Sequence, residues 1–491
     1  MKKKYVRWTL WTIASPFILF IILCILIYLP PIQNFLVDKA AVYASEATGM
    51  NISVGRISLS FPLNLVVTNV DAASPHNDTL LSVRRLQVNV QLLPLLKKQV
   101  EVDGISLQGA TVNSNDLIHG MKLNGTLGEL FISSHGVALD PETAIVNKVL
   151  LKDTDLSLCL NDTAAADTAA SDTTYWKIIL QDIDLQNVSF ALDMPLDSLS
   201  LAASLDNAIL RDGLIDLHKS AYSLQTFRIE NGRVRYDNGK PLAADSLSSG
   251  LDPSHIALTD IGVKLDSLYY GGRNMKAIIS QFVLKERSGV EIVSATGRMV
   301  SNDKVLRVPS LKLETRDSYL ELNAAMDWNA LDFKDEGLVS ARLMADIGKP
   351  DVVRFMGSMD EKFIRQYPSE PLRIRTGIDG DLNKLKLTTL TAELPGALGL
   401  FARGELTHLT DSLLRGGDIT LEAETKDLKF VSTLAEGIEI PYGTRLEGKF
   451  TMAGTKMGTD LLLMQPEAQA VVAADTIPIT AVSYTHLRAH E

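Results

Sequence analysis

The chain has 491 residues, 46% hydrophobic and 22% charged, which excludes a disordered polymer and leaves room for several domains or one long repeat array. Its net charge is -11. Setting aside Lys2, Lys3, Lys4 and Arg7 leaves 44 basic against 59 acidic groups, an acidic body with no nucleic-acid partner, because phosphate binding needs a basic face. Cys24 and Cys159 are the two cysteines, too few for a disulfide scaffold or a cysteine-built zinc site.

From Trp8 to Leu29 the sequence WTLWTIASPFILFIILCILIYL carries no charge. Its 22 residues at helical rise would reach roughly 33 Å, enough for a bilayer core of about 30 Å. Trp8, Trp11 and Tyr28 stand near its ends, where amphipathic rings favour the membrane interface. Lys2, Lys3, Lys4 and Arg7 precede it, so the positive-inside rule predicts a cytoplasmic N-terminus and an exported body. A cleaved signal peptide is the competing reading. Its apolar core would be shorter, and the nearest small-residue site, Val42-Tyr43-Ala44, lies well beyond the run. An uncleaved anchor is expected.

Ile32, Phe35, Leu36, Ala40, Tyr43 and Ala47 then recur at helical spacing and stop at Gly49, predicting a short amphipathic helix over 30–49. Beyond it, apolar and polar residues alternate, as in Ile57–Phe61, Leu86–Val90 and Leu311–Leu313. Alternation of this kind marks strands with one apolar and one wet face.

A finer pattern recurs in four places. It reads Ile105-Leu107-Gly109-Val112, Val149-Leu151-Asp153-Leu156, Ile183-Leu185-Asn187-Phe190 and Phe227-Ile229-Asn231-Val234. The outer apolar positions are an odd number of residues apart, so simple alternation fails once. A tight turn or a bulge at the Gly/Asp/Asn position would return all the apolar residues to one face. Ser310–Asp327 and Thr389–Leu406 each read as strand, short turn, strand. Asn161–Thr174 is polar and of low complexity, a loop. Pro350–Tyr367 carries a helical stripe through Val352, Val353, Phe355, Met356, Met359, Phe363 and Ile364, expected to pack on a sheet. The last nine residues, SYTHLRAHE (483–491), resemble a translated sequencing-adapter remnant and are set apart.

Catalytic strings are absent: the sequence contains no G-x-S-x-G, phosphate-binding loop, H-E-x-x-H or paired C-x-x-C. Outside the tail, His76, His119, His135, His218, His255 and His408 stand apart from one another. Asp379–Asn383 opens like a calcium loop, but Lys384 and Leu390 occupy the glycine and bidentate-acid places, so a turn is expected. Asp182 and Asp184 read as the solvated edge of strands. No enzyme, cofactor or metal site is predicted.

Thr48–Ala72 (TGMNISVGRISLSFPLNLVVTNVDA), Asp78–Val102 and Asp116–Gly136 together resemble the opening of AsmA-superfamily proteins. They resemble in particular the N-terminal part of TamB-like translocation-and-assembly-module subunits of the Bacteroidetes type. The resemblance implies an inner-membrane protein whose periplasmic β-sheet curls into a trough with an apolar inside. It further implies phospholipid or acyl chains in the groove, and a link to an outer-membrane assembly partner met by a C-terminal region this sequence does not contain. The expected organisation is a basic tip (1–7), a transmembrane helix (8–29) and a short helix (30–49). A first β-segment (50–160), a loop (161–174) and a second β-segment (175–349) follow, then a helix (350–367) and a third β-segment (368–482). The fold class expected is mainly β, with an elongated, repetitive, antiparallel-type sheet and one or two short helices. The twelve apolar residues of the four repeats, from Ile105 to Val234, are the candidate groove lining. A structural or adhesion-type periplasmic β-protein with a closed core is the alternative.

Overall fold

The computed structural model describes residues 21–22, 25, 29–60, 64–74, 79–90, 102–114, 120–139, 142–161, 175–239, 250–332, 337–356, 361–433, 443–465 and 468–478. Most of Trp8–Leu29, with Lys2, Lys3, Lys4, Arg7, Trp8, Trp11 and Tyr28, lies outside them, as do most of the 161–174 loop and the 483–491 tail. Among the described residues no helix is long and apolar enough to cross a membrane.

The protein is mainly β and divides into two compact units, Met1–Lys240 and Pro241–Glu491. That boundary falls inside the expected second β-segment. The first unit opens with helix α1 (Pro30–Thr48), which has prolines at its start and Gly49 in the left-handed region (φ 71°) at its end. The Gly49 N–H donates to the Ser45 carbonyl at 2.9 Å, and Ser45 Oγ accepts the Ile52 N–H at 3.0 Å, tying helix to sheet. The expected stripe is covered in part: Ile32 and Ala40 are half-buried, whereas Phe35 and Tyr43 are exposed.

Ten strands follow: β1 (Asn51–Ser60), β2 (Asn64–Ala73), β3 (Thr79–Val90), β4 (Val102–Asn113) and β5 (Met121–Leu139), then β6 (Glu142–Leu160), β7 (Lys177–Met194), β8 (Leu199–Asp216), β9 (Ala221–Leu224) and β10 (Thr226–Asp237). From β1 to β8 each strand pairs with the next. The far side of β8 takes β9 along Leu214–Asp216 and β10 along Ser200–Arg211. All these pairs are antiparallel except β6–β7, which is parallel and departs from the wholly antiparallel expectation. The repeat does not turn at its Gly/Asp/Asn position. Each copy is part of one unbroken strand, and Gly109, Asp153, Asn187 and Asn231 take φ between 49° and 60° within it.

The second unit is a consecutive antiparallel meander. It comprises β11 (His255–Gly271), β12 (Asn274–Glu286), β13 (Glu291–Ser301), β14 (Val305–Thr315), β15 (Tyr319–Asp327), β16 (Leu338–Ile347) and β17 (Leu372–Asp381), then β18 (Lys384–Leu394), β19 (Leu398–Thr407), β20 (Gly416–Thr425), β21 (Arg445–Ala453), β22 (Lys456–Gln465) and β23 (Ala468–Pro478). Both expected hairpins form, as β14–β15 and β18–β19. Pro309, which has no N–H for a ladder, sits where the β14–β15 register slips. Asp381 Oδ1 accepts the N–H groups of Asn383 and Lys384, so the calcium-like string is the β17–β18 turn.

Four-residue helix α2 (Trp328–Leu331) follows β15, and the single helix expected over 350–367 is two short ones, α3 (Lys349–Phe355) and α4 (Glu361–Gln366). Gly357 and Ser358, both poor helix formers, stand between them in the sequence. Phe363 is fully buried, with its ring 5.4 Å from Tyr367 and 5.8 Å from Phe430, among Leu394, Ala397 and Leu428. A smaller cluster of Ala330, Val339 and Leu382 closes the opposite strand ends. Both cores sit at the ends of strands β16–β20, and neither lies over their middles.

Candidate functional site, a continuous aliphatic face

Residues directly opposed across neighbouring strands point to the same side of a sheet. Following the register from strand to strand therefore traces rows. Ile105, Val149, Ile183 and Phe227 fall in one row, joined through Ile132 on β5 and Leu210 on β8. Leu107, Leu151, Leu185 and Ile229 fall in the next, joined through Leu130 and Ala208. Val112, Leu156, Phe190 and Val234 form a third, with Gly125 and Ala203 between. The structure thus brings all twelve sequence-selected residues into three rows, and Val88, Leu86 and Leu81 continue the rows onto β3.

A fourth row lies between the second and third and was not singled out in the sequence. It contains Val83, Ala110, Leu127, Thr154, Val188 and Leu205. On β4, β6 and β7 its members are the residues right after the left-handed Gly/Asp/Asn, and that adjacency is the signal that could have found them.

Exposure rises away from the middle of the face. In the two central rows Thr154 is 2% exposed and Ala208 4%, whereas Ile105 and Phe190 in the flanking rows are 39% and 38% exposed. No helix or second sheet packs across the middle of this face among the described residues, so neighbouring rows supply that burial. Side chains are thus most enclosed along a central line and more open in the rows on either side.

The reverse side is polar. Arg85, Gln108, Glu129, Lys152, Gln186 and Asn207 stand opposed in one row there. Asp182 and Asp184 are on this side, and both pair with Arg211, the latter at 2.9 Å. These exposed or half-exposed pairs contribute about 0–1 kcal/mol each. They keep the reverse side wet rather than hold the sheet together.

The second unit repeats the arrangement. Leu311, Leu322, Leu343, Leu390, Ala402 and Leu421 share a row, which also contains Thr376 of β17, and none of these leucines is buried. On its reverse Arg375 pairs with Asp346 at 2.7 Å and Lys449 with Asp418 at 3.0 Å.

Other polar groupings are local. Buried His255 holds Asp252 Oδ2 at 2.8 Å through Nδ1, and that hydrogen bond keeps the Asp252 carboxyl below its usual range. The rings of Tyr175 and His218 lie 5.4 Å apart, tilted by 54°, beside an open cleft also lined by Glu142, Lys177 and Lys219. Among the described residues no three His, Cys, Asp or Glu side chains are placed to hold a metal ion. No protein-family model and no curated protein matches this chain.

Proposed function

We propose that this chain is a membrane-anchored periplasmic scaffold of envelope biogenesis. Its aliphatic face carries phospholipid acyl chains between the inner and outer membranes, assists outer-membrane protein assembly, or does both. One observation supports this above the others: in the first unit the mainly aliphatic rows run from strand to strand on a side that no other element covers among the described residues, backed by a polar reverse. The seven strands of these rows, spaced by about 4.8 Å, make such a track about 29 Å long. Burying apolar surface there is worth roughly 25 cal/mol per Å², and the hydroxyl of Thr154, the polar member of the central row, is already satisfied by the Lys152 carbonyl. The charge-free Trp8–Leu29 run supports the anchor. The likeness of Thr48–Ala72 to AsmA-superfamily proteins supports the compartment and the outer-membrane partner.

Site-specific photocrosslinking in cells tests the role. A benzophenone side chain at Leu151 or Leu185 is expected to capture phospholipid, and one at Lys152 or Gln186 is not. Capture of protein at Leu151 and Leu185, with no lipid, would instead indicate a face closed by a packed layer.

A further inference from the structure

The central line of this face is built by an irregularity shared by nine strands. Asn69, Gly109, Asp153, Asn187 and Asn231 take φ of 51°, 60°, 49°, 51° and 53° on β2, β4, β6, β7 and β10. On the strands between, Gly55, Arg84, Gly128 and Asp206 stand at the same level. Each lies where the pairing is interrupted, with the register resuming unshifted on both sides. Leu130 meets Leu151 and Leu127 meets Thr154, for example, with Gly128 and Asp153 unpaired between them. No strand gains a residue over its neighbour. All nine strands slip their alternation at this one level, forming a crease across the sheet; β5 to β8 are interrupted a second time nearer their other ends, at Asn147, Gln181 and Asp212.

The crease is tightly built. A Cβ on Gly128 would lie 2.8 Å from Asp153 Cβ, and one on Gly109 would lie 2.9 Å from Arg84 Nε. Asn187 Nδ2 donates to Asp153 Oδ1 at 2.9 Å, and Asn231 Nδ2 donates to Asp206 Oδ2. Two successive polar residues per strand, such as Lys152 and Asp153 or Gln186 and Asn187, thus fall on the wet side. The inward residues that flank them, Leu151 with Thr154 and Leu185 with Val188, are three apart. Under ordinary alternation Leu151 and Leu156 would point to opposite sides.

We propose that Asn69, Gly109, Asp153, Asn187 and Asn231 are positioning residues: their left-handed backbone keeps the two halves of the aliphatic face on one side, so that a long straight acyl chain can lie across the crease. The inference rests on the acyl-binding role proposed above. Asn and Asp tolerate this conformation and Gly adopts it freely, whereas a β-branched residue resists it.

The test uses the full chain held in amphipol, with Cys24→Ser and Cys159→Ser. Leu151→Cys/Leu156→Cys is expected to cross-link through a bismaleimide with a reach of about 16 Å, the span of five strand residues. Leu151→Cys/Asp155→Cys, the pair ordinary alternation would place together, is not. The opposite preference overturns the crease. Binding of saturated fatty acids of rising length, referenced to empty amphipol, then reads the positioning. The affinity ratio of stearate to octanoate is expected to fall about tenfold or more in Asp153→Val/Asn187→Val/Asn231→Val, since each further buried CH₂ adds about fourfold. The corresponding triple glycine variant should keep the native ratio. If the glycine variant loses it, side-chain hydrogen bonds rather than backbone handedness matter, and the proposal fails even where the valine variant does not fold. If octanoate and stearate both fail to bind the unaltered chain, the acyl-binding role is wrong, while the cross-linking result still decides whether the crease sets the face.

Discussion

Phe190 offers a quantitative test of the aliphatic face. It stands between Leu156 and Ala203 in the third row, and 38% of the residue is exposed. A phenylalanine can bury roughly 200 Å², so about 75 Å² remains for a ligand to cover, worth about 1.9 kcal/mol at roughly 25 cal/mol per Å². Phe190→Ser is therefore expected to weaken binding of a long-chain fatty acid about 20-fold. The other part of the ring, about 125 Å², already packs on neighbouring side chains, so folding stability should fall by about 2–3 kcal/mol. Phe363→Ala separates the two effects. Its ring is fully enclosed in the strand-end core of the second unit, and losing it should cost about 3–5 kcal/mol without touching the rows of the first. Thermal unfolding by circular dichroism reads the stability, and fluorescence titration with a labelled fatty acid reads the affinity. Unchanged affinity in folded Phe190→Ser would refute the assignment of this face, and so would equal weakening by Phe363→Ala.

Three further outcomes follow from the strand-end contacts. Asp351 is buried at the start of α3, where it accepts hydrogen bonds from the hydroxyls of Thr315 and Ser318 and pairs with Arg354 at 3.1 Å. Asp351→Ala takes the acceptor from the Ser318 hydroxyl, while Thr315 keeps the Ser318 carbonyl and Arg354 keeps Asp317, and is expected to cost about 1–3 kcal/mol, read from denaturant unfolding. Burial raises the Tyr367 phenol, so its contribution is complete below the unfolded pKa near 10 and declines as pH rises toward the folded value. Tyr367→Phe should flatten that alkaline decline in a melting-temperature series. The Asp252 carboxyl is held low mainly by its hydrogen bond with His255, so its contribution is present above the unfolded pKa of about 3.9 and is lost as pH falls through the lower folded value. Asp252→Asn should reduce the stability difference between neutral and strongly acidic pH, and an identical acid limb in both proteins would contradict the pairing.

Much of the fold was legible because strand signals are local. Alternation in Leu86–Val90 or Leu311–Leu313 reports a two-sided strand whatever its neighbours do, and Gly49 ends α1 by its own backbone freedom. The odd spacing inside the four repeats announced an irregularity at Gly109, Asp153, Asn187 and Asn231. It did not distinguish a turn from a left-handed residue inside a strand, since both restore the face. The stripe on α1 was informative only in part, for a related reason. Spacing gives the period of a helix, but which side is covered depends on what lies beside it, and Phe35 and Tyr43 remain exposed.

By itself the sequence determined the residue types and their alternation, hence a mainly β protein with one apolar and one polar side to its strands. The tertiary structure alone decided that β6 and β7 run parallel, that the slips of nine strands fall at one level, and that Val83, Ala110 and Thr154 line the most enclosed row. The physical reason is range. Side-chain alternation is written every two residues along one chain, whereas register is a relation between segments far apart in sequence, fixed only when their hydrogen bonds and facing side chains are satisfied together.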